Sequence, residues 1–336
     1  MTKISSFIVC CVLLFACSYG APQGITVSPP VLKGAGNVQL LVFPDDDEQV
    51  LLDAIAAARQ RVWMVMYLMT DQRVIESLND AHINGADVRV LLEMHPYGVN
   101  GESNSIKARD NLEHLGIMVK PGNPAFLYTH EKSIVIDERA VILTANMTHS
   151  AFADNREFGL FIGDPQVVSE MADAFQADWD RKLFEPAAEM LAWSPNNARN
   201  RVNAIVNSAS RVLRIYAEEV QDAELSKLLS QAVSRGVEVR MIVSPSGGVS
   251  NDDSGENGLD LDYLQRNSVA VRFLKKPYIH AKLYICDTSV ALVGSVNYSV
   301  SSLEFNRELA VFVDDKALLS KMVLIFDNDW DAAIVK

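Results

Sequence analysis

The chain has 336 residues, of which 49% are hydrophobic and 22% are charged, and its formal net charge is −13. This composition is that of a globular protein and excludes a disordered chain or one built of membrane spans. The acidic balance disfavours a protein that grips long nucleic acids or adsorbs to anionic membranes by charge, although a small basic cleft can coexist with it. Length alone predicts about two domains.

Residues 1–20 predict a signal peptide. Lys3 precedes an apolar run at residues 8–16, and the small residues Ser18 and Gly20 precede a plausible cut after Gly20. The run is too short to span a membrane. We therefore expect an exported protein, secreted or periplasmic, with a bacterial lipoprotein attached at Cys17 as a minor alternative. Cys286 would then be the only thiol left, so an intramolecular disulfide is excluded and a buried thiol is expected.

Strands and helices alternate after an irregular lead-in that ends at residue 37. In the first half the apolar spacing predicts strands at 38–43, 62–67, 88–92 and 158–162 and helices at 45–60, 71–84, 106–115 and 166–182. Residues 186–200 are predicted to connect the halves. The second half repeats the order, with a strand at 212–216, a helix at 223–235, a strand at 237–243 and a glycine-rich loop at 244–259. This alternation indicates βαβ units on a parallel or mixed sheet.

One polar pattern, H-x-K-x4-D-x6-G-S-x-N, stands in a predicted hairpin of the second half. Its residues are His280, Lys282, Asp287, Gly294, Ser295 and Asn297. A histidine and a lysine two residues apart lie on the same face of an extended strand. An imidazole, an ammonium, a hydroxyl and an amide that converge in this way suit a phosphate ester.

The same pattern occurs in the first half as His130, Lys132, Asp137, Thr144 and Asn146. The first three precede their counterparts by 150 residues and Asn146 by 151, so one residue is missing between the aspartate and the asparagine. Residues 155–157 (N-R-E) and 178–180 (D-W-D) recur at 306–308 and 329–331. A self-match of such long period indicates a duplication. We predict two domains, at 38–185 and 200–336, related by a pseudo-two-fold axis.

These residues resemble the phospholipase D superfamily, whose mark is two copies of H-x-K-x4-D in one two-fold-related site. The resemblance covers roughly residues 38–332. It implies an α/β protein of two tandem α/β/α domains with mixed sheets, both half-sites in one chain, and therefore a monomer. It implies no cofactor, and no metal is expected because a charged ammonium is not a metal ligand. An acidic D-D-x-x-E in the loop 244–259 could hold a cation, but a solvated loop is the preferred interpretation.

Phosphodiester transfer by histidine needs a neutral imidazole that attacks and a protonated one that protonates the leaving oxygen. The resemblance implies that His130 is the nucleophile, which forms a phosphohistidine, and that His280 is the acid. Lys132 and Lys282 would neutralise charge on the non-bridging oxygens. Asn146, Asn297, Ser295 and Thr144 are expected to complete the phosphate site, with a tighter first pocket because of the missing residue.

Glu157 and Glu308 follow their histidines by 27 and 28 residues. A carboxylate on the far imidazole nitrogen would fix the tautomer and the ring orientation, as similar acidic residues do in the family. The alternative is a salt bridge with the neighbouring Arg156 or Arg307. The family implies a structural role for Asp137 and Asp287.

The motifs favour an enzyme that hydrolyses a phospholipid headgroup or transfers it to an alcohol. Two alternatives remain: an exported metal-independent nuclease, and an inactive binding protein, which Thr144 and Ala145 in place of Gly-Ser would favour. The rim of the cleft separates the first two. Apolar loop residues such as Tyr97, Phe126 and Leu127 would favour lipid and a peripheral membrane contact, whereas Lys and Arg would favour nucleic acid.

Overall fold

A computed structural model of the chain describes residues 38–98, 100–245 and 256–335. The predicted signal peptide at residues 1–20, the alternative attachment at Cys17 and the acidic loop pair Asp252 and Asp253 lie outside these residues. Within them, no helix combines the length and apolarity that crossing a membrane requires. Cys286 is buried, as expected.

The two halves contain the same succession of elements. The first half consists of β1 (Val38–Phe43), α1 (Gln49–Ala56), β2 (Arg61–Met66), α2 (Gln72–Ile83), β3 (Asp87–Leu92), α3 (Gly101–His114), β4 (Met118–Pro121), β5 (Ser133–Ile136), β6 (Arg139–Leu143), α4 (His149–Ala153), β7 (Asn155–Ile162) and α5 (Pro165–Trp179). The second half consists of β8 (Leu191–Ser194), α6 (Ala198–Ser208), β9 (Val212–Tyr216), β10 (Val220–Gln221), α7 (Ala223–Ser234), β11 (Glu238–Val243), α8 (Glu256–Arg266), β12 (Ala270–Phe273), β13 (Tyr278–Ile279), β14 (Leu283–Cys286), β15 (Val290–Gly294), β16 (Tyr298–Ser299), α9 (Val300–Glu304), β17 (Glu308–Val313) and α10 (Lys316–Ala332).

Each half folds around one mixed sheet. The strand order is β1-β7-β6-β5-β2-β3-β4 in the first sheet and β8-β17-β15-β14-β9-β11-β12 in the second. In both sheets the last three strands run parallel and the others pair antiparallel. The predicted mixed α/β fold with two tandem repeats is confirmed.

The two sheets share a central hydrophobic core. Residues of both sheets pack in it together with α5, through Met171, and α10, through Phe326. Separate outer cores lie under α1, α2 and α3 in the first half and under α6 and α7 in the second. Because both halves bury apolar surface in the central core, they pack as one unit around the site between them.

The second half begins earlier than predicted. Residues 186–200, read from sequence as a connection, contain β8 and the start of α6. All of β8 is buried, and it pairs antiparallel with β17 as β1 pairs with β7. A strand of four residues is too short to be recognised by its own pattern, and its partner strand lies more than 110 residues further along the chain. Helix α8 and strand β12 were likewise absent from the prediction.

The residue missing from the first motif lies in a hairpin turn. Two residues, Asp137 and Glu138, join β5 to β6, whereas residues 287–289 join β14 to β15. Beyond the turn the halves match again, since the backbone N–H of Thr144 donates to Phe158 and that of Ser295 to Leu309. The missing residue therefore shortens a turn at the other end of β6 from Thr144. A tighter first pocket, which was expected from the missing residue, stays a prediction.

Candidate active site

The segment that leads to each histidine crosses to the other half of the molecule. Strand β13, directly before His280, pairs with the start of β7 at Asn155 and Arg156. In the mirrored position Thr129 forms a bridge with Arg307, and the N–H of His130 donates to the Arg307 carbonyl oxygen. Each histidine therefore lies beside the N-R-E residues of the opposite half.

This crossing exchanges the two glutamates. Glu308 Oε1 lies 2.8 Å from Nδ1 of His130, and Glu157 Oε1 lies 2.6 Å from Nδ1 of His280. Both carboxylates are fully buried. Each glutamate thus contacts the far imidazole nitrogen, but of the histidine in the other half rather than of the one that it follows in sequence.

The alternative salt bridges with the neighbouring arginines do not form. Arg307 donates through Nε to Asp178 at 2.7 Å, and Arg156 donates through Nε to Asp329, also at 2.7 Å. These aspartates belong to the repeated D-W-D sequences at the ends of α5 and α10, so each pair joins one half to the other. All four side chains are buried.

His130 is held as a neutral imidazole. Burial lowers its pKa to about 4, although the neighbouring Glu308 carboxylate opposes this shift. The Tyr67 ring lies edge-on against the imidazole, with 4.6 Å between ring centroids. Because Nδ1 donates to Glu308, the neutral ring carries its lone pair on Nε2. That arrangement suits a nucleophile.

The two lysines have different surroundings. Both ammonium groups donate to the carbonyl oxygen of their own histidine, at 2.7 Å for Lys132 and 2.5 Å for Lys282. Lys132 lies 5.1 Å above the Tyr67 ring, and burial together with the charge of Lys282 lowers its pKa to about 7. Lys282 instead forms an ion pair of 2.6 Å with Glu218.

Glu218 is a site residue that the sequence interpretation missed. Its Oε1 lies 3.4 Å from Nε2 of His280. Although burial raises the pKa of Glu218, the charges of His280 and Lys282 lower it to about 2. The aligned residue of the first half, 150 positions earlier, is Leu68. A search for polar residues that occur in both halves therefore does not find Glu218. The available signal was an acidic pair, Glu218 and Glu219, directly after a buried strand.

The four predicted phosphate-site residues divide into two pairs. Thr144 and Ser295 are fully buried. The Thr144 hydroxyl donates to Glu157 at 2.5 Å, and the Ser295 hydroxyl accepts from the N–H of Leu309 at 3.1 Å. Their hydroxyls are therefore engaged in holding the glutamate and its strand.

The side-chain oxygens of Asn146 and Asn297 are not engaged in this way. Each has a buried Oδ1 without a hydrogen-bond partner among the described residues. A buried amide without a partner is available to a ligand. Phosphate binding by Asn146 and Asn297 stays a prediction.

The motif aspartates lie at the hairpin turns. The Asp137 carboxylate accepts from the backbone N–H groups of residues 59–61, and Asp287 accepts from those of residues 210–212. Although burial raises their pKa values, these N–H groups lower them. Both residues adopt positive φ, 48° and 55°, which the turns require. Their contacts anchor the strands that carry the lysines.

The described residues contain no group of three or more His, Cys, Asp or Glu side chains placed to hold a metal ion. The functional groups that converge are two histidines, each bound to a carboxylate, and two lysines, on a duplicated mixed α/β fold. These are the functional groups that phosphodiester transfer by histidine requires.

The comparisons with known proteins identify the family. The family model described as "Cardiolipin synthase, PLD-like domain" matches residues 51–179 and again residues 202–330. The chain therefore belongs to this family and, with it, to the phospholipase D superfamily.

Two similar curated proteins are cardiolipin synthases. The one from Listeria monocytogenes serotype 4a is 28% identical over 162 residues, covering 44% of this chain and 32% of the relative. The one from Staphylococcus aureus strain Mu50 is 30% identical over 141 residues, covering 40% of this chain and 28% of the relative. The matches span about a third of the length of these relatives.

Solved structures share the fold over most of the chain. Phosphatidylserine synthase from Haemophilus influenzae superposes with a TM-score of 0.71 at 14% identity, covering 94% of this chain and 90% of that one. Polyphosphate kinase from Porphyromonas gingivalis superposes with a TM-score of 0.66 at 17% identity, covering 86% of this chain and 50% of that one. At these identities the likeness concerns the fold alone.

Proposed function

We propose that this protein cleaves the headgroup phosphodiester of a phospholipid through a covalent phosphohistidine on His130. The observation that carries the proposal is the exchange of carboxylates, which orients both imidazoles by Nδ1, so that Nε2 is the reacting nitrogen of each ring. The charges of one half also act on the other, since Lys282 contributes to lowering the pKa of His130. Both halves thus contribute to one site.

The reaction proceeds in two displacements. The lone pair on His130 Nε2 forms a bond to phosphorus, the bond to the headgroup oxygen breaks, and that oxygen takes the proton from Nε2 of His280. Water or an alcohol then gives a proton to His280 and bonds to phosphorus, while the electron pair of the breaking P–N bond returns to His130. Water completes a hydrolysis, whereas an alcohol completes a transfer. The names of the cardiolipin synthase relatives support transfer as the second outcome.

The rim of the site favours a lipid over a nucleic acid. Tyr97, Leu127 and Phe305 are exposed by 64%, 58% and 55%. Tyr97 donates its N–H to the hydroxyl of Tyr67, which covers His130, and the N–H of Leu127 donates to the Phe305 carbonyl oxygen. Phe126, also expected at the rim, packs instead on the Arg307 guanidinium at 5.1 Å. Apolar side chains beside the catalytic groups suit insertion among lipid chains.

The segment before His280 carries positive charge that is open to solvent. Lys275 and Lys276 are exposed there. Two lysines suit an anionic headgroup but are few for following a polynucleotide backbone. We further propose that the protein acts as an exported monomer, which the leader at residues 1–20 and the completion of the site within one chain support.

The test uses purified protein with a chelator present. It is offered vesicles of phosphatidylcholine, phosphatidylglycerol or cardiolipin, with and without glycerol as acceptor alcohol, and separately single- and double-stranded DNA. We expect headgroup release, and a peptide that carries a phosphatidyl group on His130 in acid-free mass spectrometry. His130→Asn should abolish both. DNA cleavage with intact lipids would overturn the substrate, and full turnover by His130→Asn would overturn the mechanism.

A further inference from the structure

The two half-sites differ at the residues that follow the central parallel strands. After β2, the Tyr67 ring covers His130 and Lys132. After β9, the Glu218 carboxylate contacts His280 and Lys282. The motif histidines and lysines recur in both halves, whereas Tyr67 and Glu218 do not: Ala217 stands at the position that matches Tyr67, and Leu68 at the one that matches Glu218. The two histidines therefore have chemically different neighbours.

The surroundings of the two imidazoles differ in consequence. Both nitrogens of His280 face carboxylates, with Glu157 at Nδ1 and Glu218 at Nε2. The Lys282 ammonium, which Glu218 neutralises, lies 3.2 and 3.4 Å from the same two nitrogens. An imidazole donates from both nitrogens only when it is protonated. The Nδ1 atom of His130 faces Glu308, and no carboxylate of the described residues lies within ion-pair distance of its Nε2 atom. Geometry therefore suits an imidazolium in the second half and a neutral ring in the first.

The lysines follow the same division. Lys282 is neutralised by Glu218 at 2.6 Å, whereas no carboxylate in the described part of the chain is within 4.0 Å of the Lys132 ammonium. A phosphate oxygen would meet an uncompensated charge at Lys132 and a compensated one at Lys282. The phosphoryl group is therefore attracted towards the half that carries the nucleophile.

We propose that Glu218 is the positioning residue that makes the two halves unequal, by holding His280 as the proton donor and reserving Lys132 for the phosphate. This inference rests on the proposed function, which defines the proton that His280 donates. Within the first displacement, Glu218 accepts from Nε2–H until the headgroup oxygen develops charge and takes the proton. In the second displacement, water or an alcohol gives a proton to His280, and Glu218 again accepts a hydrogen bond from the Nε2–H of the imidazolium.

The experiment compares two short-chain phosphatidyl esters that differ only in the leaving group. Dihexanoyl phosphatidylcholine releases choline, a poor leaving group that needs a proton, whereas dihexanoyl phosphatidyl-p-nitrophenol releases an acidic phenol that does not. In the first turnover, measured as a burst, Glu218→Gln should slow release of choline by about 100-fold and of p-nitrophenol by no more than about threefold, since general acid catalysis contributes only where the leaving oxygen needs it. His280→Asn should show the same selectivity in the first turnover, whereas the second displacement, which both esters share, should be slowed for both.

The matched control is Glu219→Gln. Glu219 is the neighbouring acid and binds Ser299 rather than His280, so both esters should be cleaved at the wild-type rate. Glu218→Asp, which keeps a carboxylate, should recover part of the choline release. An equal loss on both esters, or no loss on either, would overturn the role of Glu218 while leaving the proposed function intact. Wild-type cleavage of both esters by His130→Asn and His280→Asn would overturn the proposed function instead.

Discussion

Glu308 and His130 lie 178 residues apart in sequence and in opposite halves, yet the carboxylate oxygen is 2.8 Å from the imidazole Nδ1. Glu157 and His280 repeat the contact in the other direction at 2.6 Å. Neither repeat therefore supplies the carboxylate at Nδ1 of its own histidine. A duplicated chain whose halves depend on each other in this way has its site only where both halves are folded and packed together.

The first prediction concerns this exchange. Glu308→Gln should impair formation of the phosphohistidine, the task of His130, by at least about 100-fold, since an amide cannot fix the tautomer as a carboxylate does. Glu157→Gln should instead impair the esters whose leaving group needs a proton from His280. Rapid-quench measurement of phosphohistidine formation with dihexanoyl phosphatidyl-p-nitrophenol separates the two variants.

Double variants check the pairing. Glu308→Gln should add little to the loss in His130→Asn but should add fully to the loss in His280→Asn, because residues that act as a unit are not additive. The opposite pattern, with Glu308→Gln silent in the His280→Asn background, would show that each glutamate serves the histidine of its own repeat in solution.

The exchange also marks the limit of what sequence can predict. The offsets of 150 and 151 residues between motif copies, with the alternation of strands and helices and the family resemblance, predicted two mixed-sheet repeats and the histidines and lysines that the structure brings together. They could not show which of the two glutamates contacts which histidine. That depends on the pairing of β13, in the second half, with β7 in the first half. Glu218 was missed for a related reason. Its function lies in a departure from the repeat, and Leu68 stands at the matching position.

The second prediction is an acidic pH range for activity. His130 must be neutral to attack, so kcat/KM should fall as the pH drops through about 4, the lowered pKa of its buried ring. Lys132 must be charged to bind the phosphate, so kcat/KM should fall again as the pH rises through about 7. A pH profile of the soluble esters measures both limbs.

The Lys132→Arg variant tests whether deprotonation of Lys132 causes the fall of kcat/KM near pH 7. A guanidinium stays charged throughout the range, so the fall near pH 7 should move upward in this variant while the lower limb stays in place. An upper limb that does not move would show that another group controls it and that the Lys132 ammonium does not titrate there.

The third prediction concerns the ion pair between Asp178 and Arg307. The Arg307 side chain is 1% exposed, and its Nη2 has no hydrogen-bond partner among the described residues. Asp178→Ala would leave that buried charge without its 2.7 Å partner, so the free energy of unfolding should fall by about 3–5 kcal/mol. Urea unfolding measures this change. Asp110→Ala, at the exposed pair with Arg109, is the control and should leave the midpoint unchanged. Equal midpoints for both variants would contradict a role for Asp178 in joining the halves.

The last prediction tests the apolar rim at Leu127 and Phe305, which a backbone hydrogen bond joins and which precede His130 and Glu308 by three residues each. Replacing both by serine removes two apolar side chains, each of which is about half exposed. Neither is assigned a catalytic role, so cleavage of soluble dihexanoyl esters should be unchanged. Cleavage of long-chain lipid in vesicles should fall by about tenfold or more, because each side chain would contribute on the order of 1–2 kcal/mol when it is buried among acyl chains. Vesicle co-sedimentation should weaken in parallel.

Leu183→Ser, at a side chain that is 95% exposed and outside the rim, is the control. Equal loss on soluble and vesicle substrates would show that the two residues shape the site rather than meet the membrane, and unchanged vesicle activity would remove the rim as an argument for lipid.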